Sequence, residues 1–174
     1  MTLLCLENSK INFRQKIQSV TNSKGLISRE GINKIIPYGE EFIFLDAVDN
    51  ITLNGITGYF LVSEKVSCVK SHYLQRPMMP ASLIAEGFGQ AGIILILKNL
   101  AMSEPVDIFA GNIETAKYFQ IVRPGQEIKH VVFLKNFNSR IGVARIQGNT
   151  YVGKKLIANF SFVLRIVTQE ASEA

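Results

Sequence analysis

The sequence predicts a single α+β domain in which an antiparallel sheet wraps one long buried helix. Three observations predict it. From Ala81 to Leu100 the chain is apolar on nearly every helical face, interrupted by Glu86 and Gln90 and loosened by Gly87, Gly89 and Gly92. A helix of that length, about 30 Å, that is apolar all round is buried on all sides; a surface helix carries one apolar stripe. Before and after it, apolar residues alternate with the period of half-buried strands. The 174 residues suit one well-buried domain and are few for two, and 47% apolar against 19% charged residues supplies a large core.

In order, residues 1–31 form an extension in which Ile11, Phe13, Ile17 and Val20 make an imperfect helical stripe stopped at Gly25. The main domain runs over 32–167. It opens with a short helical turn at Ile32 to Ile36 and Pro37, followed by strand segments at Phe42 to Val48, at Ile51 to Val62 and, briefly, at Glu64 to Lys70. Pro77 and Pro80 stiffen the approach to the buried helix, with Pro80 where proline is tolerated, before the first turn. Past a break at Asn99 to Pro105, strands are expected at Val106 to Gly111, Lys117 to Val122, Glu127 to Phe137, Ile141 to Tyr151 and Lys154 to Ile166. Turns fall at Pro124-Gly125, Asn138-Ser139 and Val152-Gly153, and 168–174 is a polar tail.

Charge and cysteine usage narrow the function classes. The net charge is +5, but the 19 Lys and Arg are scattered without runs or interleaved aromatics, which argues against nucleic acid and suits an acidic protein partner. Cys5 and Cys68 make no metal or redox spacing, so a reducing cytoplasm is the expected home. The first residues lack the basic region and long apolar run of a signal peptide, and the apolar run at Leu83 to Leu97 carries Glu86 and falls short of a membrane span. No dinucleotide or phosphate-binding glycine loop occurs, and His130 stands alone on an expected strand, exposed or packed and not a ligand.

Glu86 and Gln90, four apart, share one helix face, and a carboxylate in such surroundings is costly unless it is paired, protonated or put to use. A few residues upstream of the helix stands His72, one of two histidines in the chain. By themselves these residues fit an acid and base pair, or a capped surface histidine with a salt-bridged glutamate. The stretch Ser71-His72-Tyr73-Leu74-Gln75-Arg76-Pro77-Met78-Met79-Pro80-Ala81-Ser82-Leu83, with Glu86 and Gln90, resembles without a gap the G-H-F-P-x-x-P-V-M-P-G-x-L-x-x-E-x-x-x-Q signature of 3-hydroxyacyl-acyl-carrier-protein dehydratases of FabZ type. Ile36-Pro37-Tyr38-Gly39-Glu40-Glu41-Phe42-Ile43-Phe44-Leu45-Asp46 is similar to that family's L-P-H-R-x-P-F-L-L-V-D, and Lys117-Tyr118-Phe119 with Arg123-Pro124-Gly125-Gln126 to its F-R-x-x-V-x-P-G-D turn. The similarity spans about residues 32 to 167.

The resemblance implies the hot-dog fold and the conversion of a 3-hydroxyacyl thioester on an acyl carrier protein to the trans-2-enoyl form, in fatty acid or polyketide/polyene-type biosynthesis, with no cofactor and no metal. It implies His72 as base and Glu86 as acid, backbone N–H groups at Ala81 and Ser82 facing the thioester oxygen, and Gln90 holding Glu86. It further implies a homodimer or an assembly of dimers, with His72 and Glu86 of one site coming from two chains. Met78, Met79, Phe88, Ile93 and Phe109 become candidates to line an acyl tunnel, and Arg76, Lys117 and Arg123 to meet the acidic carrier. The chain departs from the signature at Ser71, Leu74 and Ala81 and has Tyr38-Gly39 for His-Arg. Those departures motivate a non-catalytic acyl-thioester binding or scaffold subunit as an alternative, and the shared fold admits an acyl-thioester hydrolase.

Overall fold

The computed structural model describes residues 12–100 and 105–168. Ile11 of the expected N-terminal stripe, most of the break before Pro105 and nearly all of the polar tail lie outside the described residues. The sheet has seven antiparallel strands, β1 (Ile27–Ser28), β2 (Ala47–Asp49), β3 (Gly55–Leu61), β4 (Val106–Tyr118), β5 (Glu127–Asn138), β6 (Val143–Val152) and β7 (Lys155–Thr168), in the order β1-β2-β3-β5-β6-β7-β4. Helices α1 (Phe13–Val20), α2 (Arg29–Ile35) and α3 (Ser67–Ser71) precede the long helix α4 (Ala81–Asn99). The sheet curls around α4, as the sequence led us to expect.

Packing explains why α4 is apolar all round. Phe88 is fully buried and its ring meets Phe160 at 5.0 Å and Phe162 at 5.4 Å. Glycine allows the sheet to come close: a Cβ on Gly92 would strike Ile146 Cδ1, and one on Gly87 would lie 2.8 Å from the Phe44 carbonyl oxygen. By length and composition alone α4 could cross a membrane, yet 67% of that stretch is buried within the fold, which is the position of a core helix.

The N-terminal segments brace both ends of this arrangement. Asn12 Oδ1 accepts from the Gln15 N–H to cap α1, and Phe13 and Ile17 are buried. Arg14 of α1 donates to the carbonyls of Lys98 (3.1 Å) and Asn99 (3.3 Å), groups left without helical partners at the end of α4. Arg29 of α2 donates to the carbonyls of Glu40 and Leu45 and to Asp46 Oδ1, so it clamps the segment that leads into β2.

Three strand expectations need correction. Of Phe42 to Val48 only the end is strand. Glu40–Phe42 is one 3-10 turn, and the backbone at Phe42 and Phe44 is bonded to the Gln90 side chain instead of to a neighbouring strand. Glu64 to Lys70 is not a strand: β3 ends where Val62 exchanges bonds with Gln126 and Gly125, and the chain then turns into α3, with the Val66 carbonyl accepting from Val69 and Lys70. After α4 one strand, β4, runs unbroken from Val106 through the expected gap to Tyr118; of the segment expected at Lys117 to Val122 only Lys117 and Tyr118 are strand, and the register of β4 against β7 shifts between Ala110 and Asn112 and between Ile113 and Thr115. Those irregularities leave Gly111 and Glu114 without a register partner, on the exposed edge of the sheet.

Candidate active site

α3 ends on His72, and the loop that follows fixes the ring. Tyr73 takes a left-handed backbone, φ 59°, and its carbonyl accepts from the Arg76 N–H at 2.8 Å, closing a turn. The Met79 N–H donates to the Val122 carbonyl at 2.9 Å, and Arg123 lies 3.4 and 3.5 Å from the carbonyl oxygens of Arg76 and Pro77, so the β4–β5 connection holds the loop from outside. His72 Nδ1 is 3.0 Å from the Met78 carbonyl oxygen. A carbonyl only accepts, so the partner assigns a proton to Nδ1, and in the neutral ring the lone pair is on Nε2. The half-buried ring lines a cleft of about 330 Å³ with Met78, Met79, Ala81, Ile84 and Tyr118 to Val122.

Ala81, at the floor of that cleft, opens α4. Pro80 supplies no capping side chain, and its carbonyl accepts from Leu83 (3.0 Å) and Ile84 (3.2 Å). Among the described residues no acceptor meets the N–H of Ala81 or Ser82, so the first donors of a 19-residue helix are free and Ala81 stands beside His72.

Glu86 lies deeper on α4, half-buried, and Gln90 holds it. Gln90 is completely buried and fully paired: Nε2 donates to Glu86 Oε1 (2.9 Å) and to the Phe42 carbonyl (2.8 Å), while Oε1 accepts from the Phe44 N–H (2.9 Å). One amide thus fixes the carboxylate and anchors the segment before β2. Tyr38 is a neighbour the sequence reading left out of the site. Burial, and after it the charge of Glu86, push its phenol above the ordinary range, so it stays protonated there. The signal was present as the departure Tyr38-Gly39, but nothing in the sequence brought that phenol within reach of the Glu86 charge.

The other candidates divide. Met78 and Met79 line the histidine cleft; Phe88 is core; Ile93 lines a second cavity; Phe109 is exposed on β4. Arg76 and Lys117 are exposed, as is Arg123, which also braces the histidine loop. His130 is packed, with Nδ1 2.9 Å from Thr150 Oγ1. Within one chain no hydrogen bond or ring contact joins His72 to Glu86 among the described residues.

A family model described as FabA-like domain matches residues 36–161. The chain belongs to the FabA-like family. Its match takes in both halves of the site and stops short of α1. The chain is 30% identical over 142 residues to the 3-hydroxyacyl-[acyl-carrier-protein] dehydratase FabZ of Lactococcus lactis, covering 82% of this chain and 91% of that one. It is likewise 30% identical to the FabZ of Aliarcobacter butzleri, over 78% of this chain and 95% of the relative. In fold, this FabA-like chain is similar to the dehydratase heterocomplex ApeI:P of Xenorhabdus doucetiae, with TM-score 0.67, 11% identity and coverage of 80% and 92% of the two chains. It is also similar to a mutant of the fluoroacetyl-CoA-specific thioesterase FlK, with TM-score 0.57, 13% identity and coverage of 72% and 94%.

Proposed function

We propose that the protein dehydrates a 3-hydroxyacyl thioester carried on acyl carrier protein to the trans-2-enoyl thioester, and that it does so as a homodimer in the cytoplasm. The observation that carries the mechanism is the His72–Met78 bond, which places a proton on Nδ1 so that Nε2 is the basic nitrogen of the neutral ring. In this reading His72 Nε2 takes the proton from C2, while the free N–H groups of Ala81 and Ser82 stabilise the negative charge that develops on the thioester oxygen. Glu86, in its protonated form, gives that proton to the 3-hydroxyl. The C2–H electron pair becomes the C2=C3 bond, the C3–O bond breaks and water leaves. No further group is needed to balance the step.

That no hydrogen bond or ring contact joins His72 to Glu86 within one chain, among the described residues, supports a site completed by a second copy. So does β4, a strand of 13 residues bonded on one side to β7, with Phe109 51% and Ile113 54% exposed, and Phe119 and Ile121 exposed just beyond it. A long apolar edge of this kind calls for cover. Exposed Arg76, Lys117 and Arg123 would meet the acidic carrier. The catalytic module in this reading is 32–167, with the extension before it and the polar tail after it.

The test is loss of water, followed by mass, from a 3-hydroxyacyl thioester on carrier protein. His72→Ala and Glu86→Gln should each lower the rate by about 100-fold or more. Co-expressing the two variants should restore part of the activity, because a mixed dimer rebuilds one intact site. Release of free carrier instead of dehydration would indicate a hydrolase, and binding without turnover would indicate a scaffold subunit.

A further inference from the structure

The loop that carries His72 is fastened from outside by the β4–β5 connection, and that connection is itself fixed. The Val62 N–H donates to the Gln126 carbonyl (3.0 Å) and the Gly125 N–H to the Val62 carbonyl (2.8 Å), so the turn is tied to the end of β3. Within it, Gln126 Oε1 accepts from the Arg123 N–H at 2.8 Å, and the Gln126 N–H donates to the Arg123 carbonyl at 3.2 Å. Val122, just before, is fully buried. The main chain of Arg123 is thus anchored on both sides, and its side chain reaches out to the loop.

What the guanidinium touches there bears on the histidine. Arg123 Nη1 donates to the carbonyls of Arg76 (3.4 Å) and Pro77 (3.5 Å), and among the described residues no backbone N–H reaches either oxygen. The next carbonyl along the chain, that of Met78, is the one that meets His72 Nδ1. The residue after it, Met79, donates to the Val122 carbonyl. Two neighbours in sequence, Val122 and Arg123, therefore hold the chain on either side of Met78. An unconstrained neutral histidine carries its proton mainly on Nε2, and the partner of one nitrogen decides which form persists. The Nδ1–H form of His72 accordingly depends on the Met78 carbonyl staying in place.

We propose that Arg123 is a positioning residue for His72: by holding the Arg76 and Pro77 carbonyls it keeps the Met78 carbonyl on Nδ1 and so selects the tautomer in which Nε2 is basic. That task differs from meeting an acidic carrier. A docking cation matters only when the carrier is present, whereas a brace acts on every substrate, including one with no carrier attached. The effect on turnover rests on the dehydratase reading; the effect on the ring does not.

Nitrogen NMR of the full chain, labelled at histidine, reads the tautomer directly. The chain has two histidines, so the His72 signals are those lost in His72→Ala. At about pH 8, where an ordinary imidazole is neutral, the wild-type ring should be protonated on Nδ1. Arg123→Met should move the ratio of the two forms toward Nε2–H by about threefold or more. With a 3-hydroxyacyl pantetheine, which brings no carrier, the same variant should lower kcat by about three- to tenfold and change KM little. Arg123→Lys keeps the charge without the planar guanidinium and should recover only part of both effects. The side chain is exposed, so the unfolding temperature should stay near that of the wild type; should Arg123→Met fold poorly, Arg123→Gln, too short to span both carbonyls, takes its place. A wild-type ring protonated on Nε2, a ratio that the removal leaves unchanged, or a loss confined to the carrier-bound substrate would overturn the proposal. If the wild type dehydrates neither substrate but the ratio shifts as expected, the positioning of the ring stands and the dehydratase reading falls.

Discussion

Acidification should unfold this protein partly through one histidine that takes no part in the proposed chemistry. His130 on β5 is 1% exposed, faces the Thr150 hydroxyl, the Phe88 ring and the backbone at Gly87, and has its pKa pushed down to about 3 from 6.5 by burial. Its folded value lies below its unfolded value, so in that window the unfolded chain binds a proton that the folded chain refuses. Stability then falls as pH falls. At pH 5 the cost is about 1.5 pH intervals at 1.36 kcal/mol each, or about 2 kcal/mol, against almost nothing at pH 7.5. That is a large share of a total stability of about 5–15 kcal/mol. The assay is urea unfolding at both pH values for wild type and His130→Asn, which keeps a polar group near Thr150 without a titrating ring. His130→Asn should start less stable at pH 7.5, yet lose about 2 kcal/mol less than wild type on going to pH 5. Equal losses in the two proteins would refute the argument, since every other titrating group is common to both.

Two further predictions concern the helix. Gln90→Leu keeps the volume but strips partners from the buried Phe44 N–H and Phe42 carbonyl, so urea unfolding should show a loss of about 2–5 kcal/mol, and kcat should fall more than KM changes because Glu86 loses its positioning donor. Gly92→Ala should destabilise the wild type because its Cβ meets Ile146 Cδ1, and should be far better tolerated in Ile146→Val, which lacks that methyl; a coupling of about 1 kcal/mol between the two sites is expected, and additive effects would dismiss the contact.

How much of this was legible in the sequence follows from the range of the forces involved. α4 was readable because its burial is written into every residue of one continuous run, and the long strands β5 to β7 because half-burial imposes a period of two. The segment before β2 was misread because its backbone is satisfied by Gln90, 46 positions away from Phe44, and no local pattern reports such a partner. β4 was split in two because polar residues on an exposed edge look the same as residues in a loop. His72, Glu86 and Gln90 were singled out by their match to the family signature, whereas Tyr38 was noted only as a departure. Its position beside Glu86 depends on how the chain after α2 crosses α4.

The structure also shows how the departures from the family signature are accommodated around His72. Ser71 closes α3, and the His72 N–H caps that helix by donating to the Val69 carbonyl at 3.2 Å, so a regular element delivers the ring where the signature has a glycine. Leu74, in place of proline, is 78% exposed and carries no part of the loop's support, which comes instead from the Tyr73 turn, the Met79–Val122 bond and Arg123. Ala81 retains its N–H as a free donor and takes the helical backbone of the first turn of α4, not a left-handed one, so the position asks for no glycine. The sequence differences at Ser71, Leu74 and Ala81 therefore give no physical ground for an inert site: the histidine still has a defined tautomer, the helix still opens on unpaired donors, and both face one cleft.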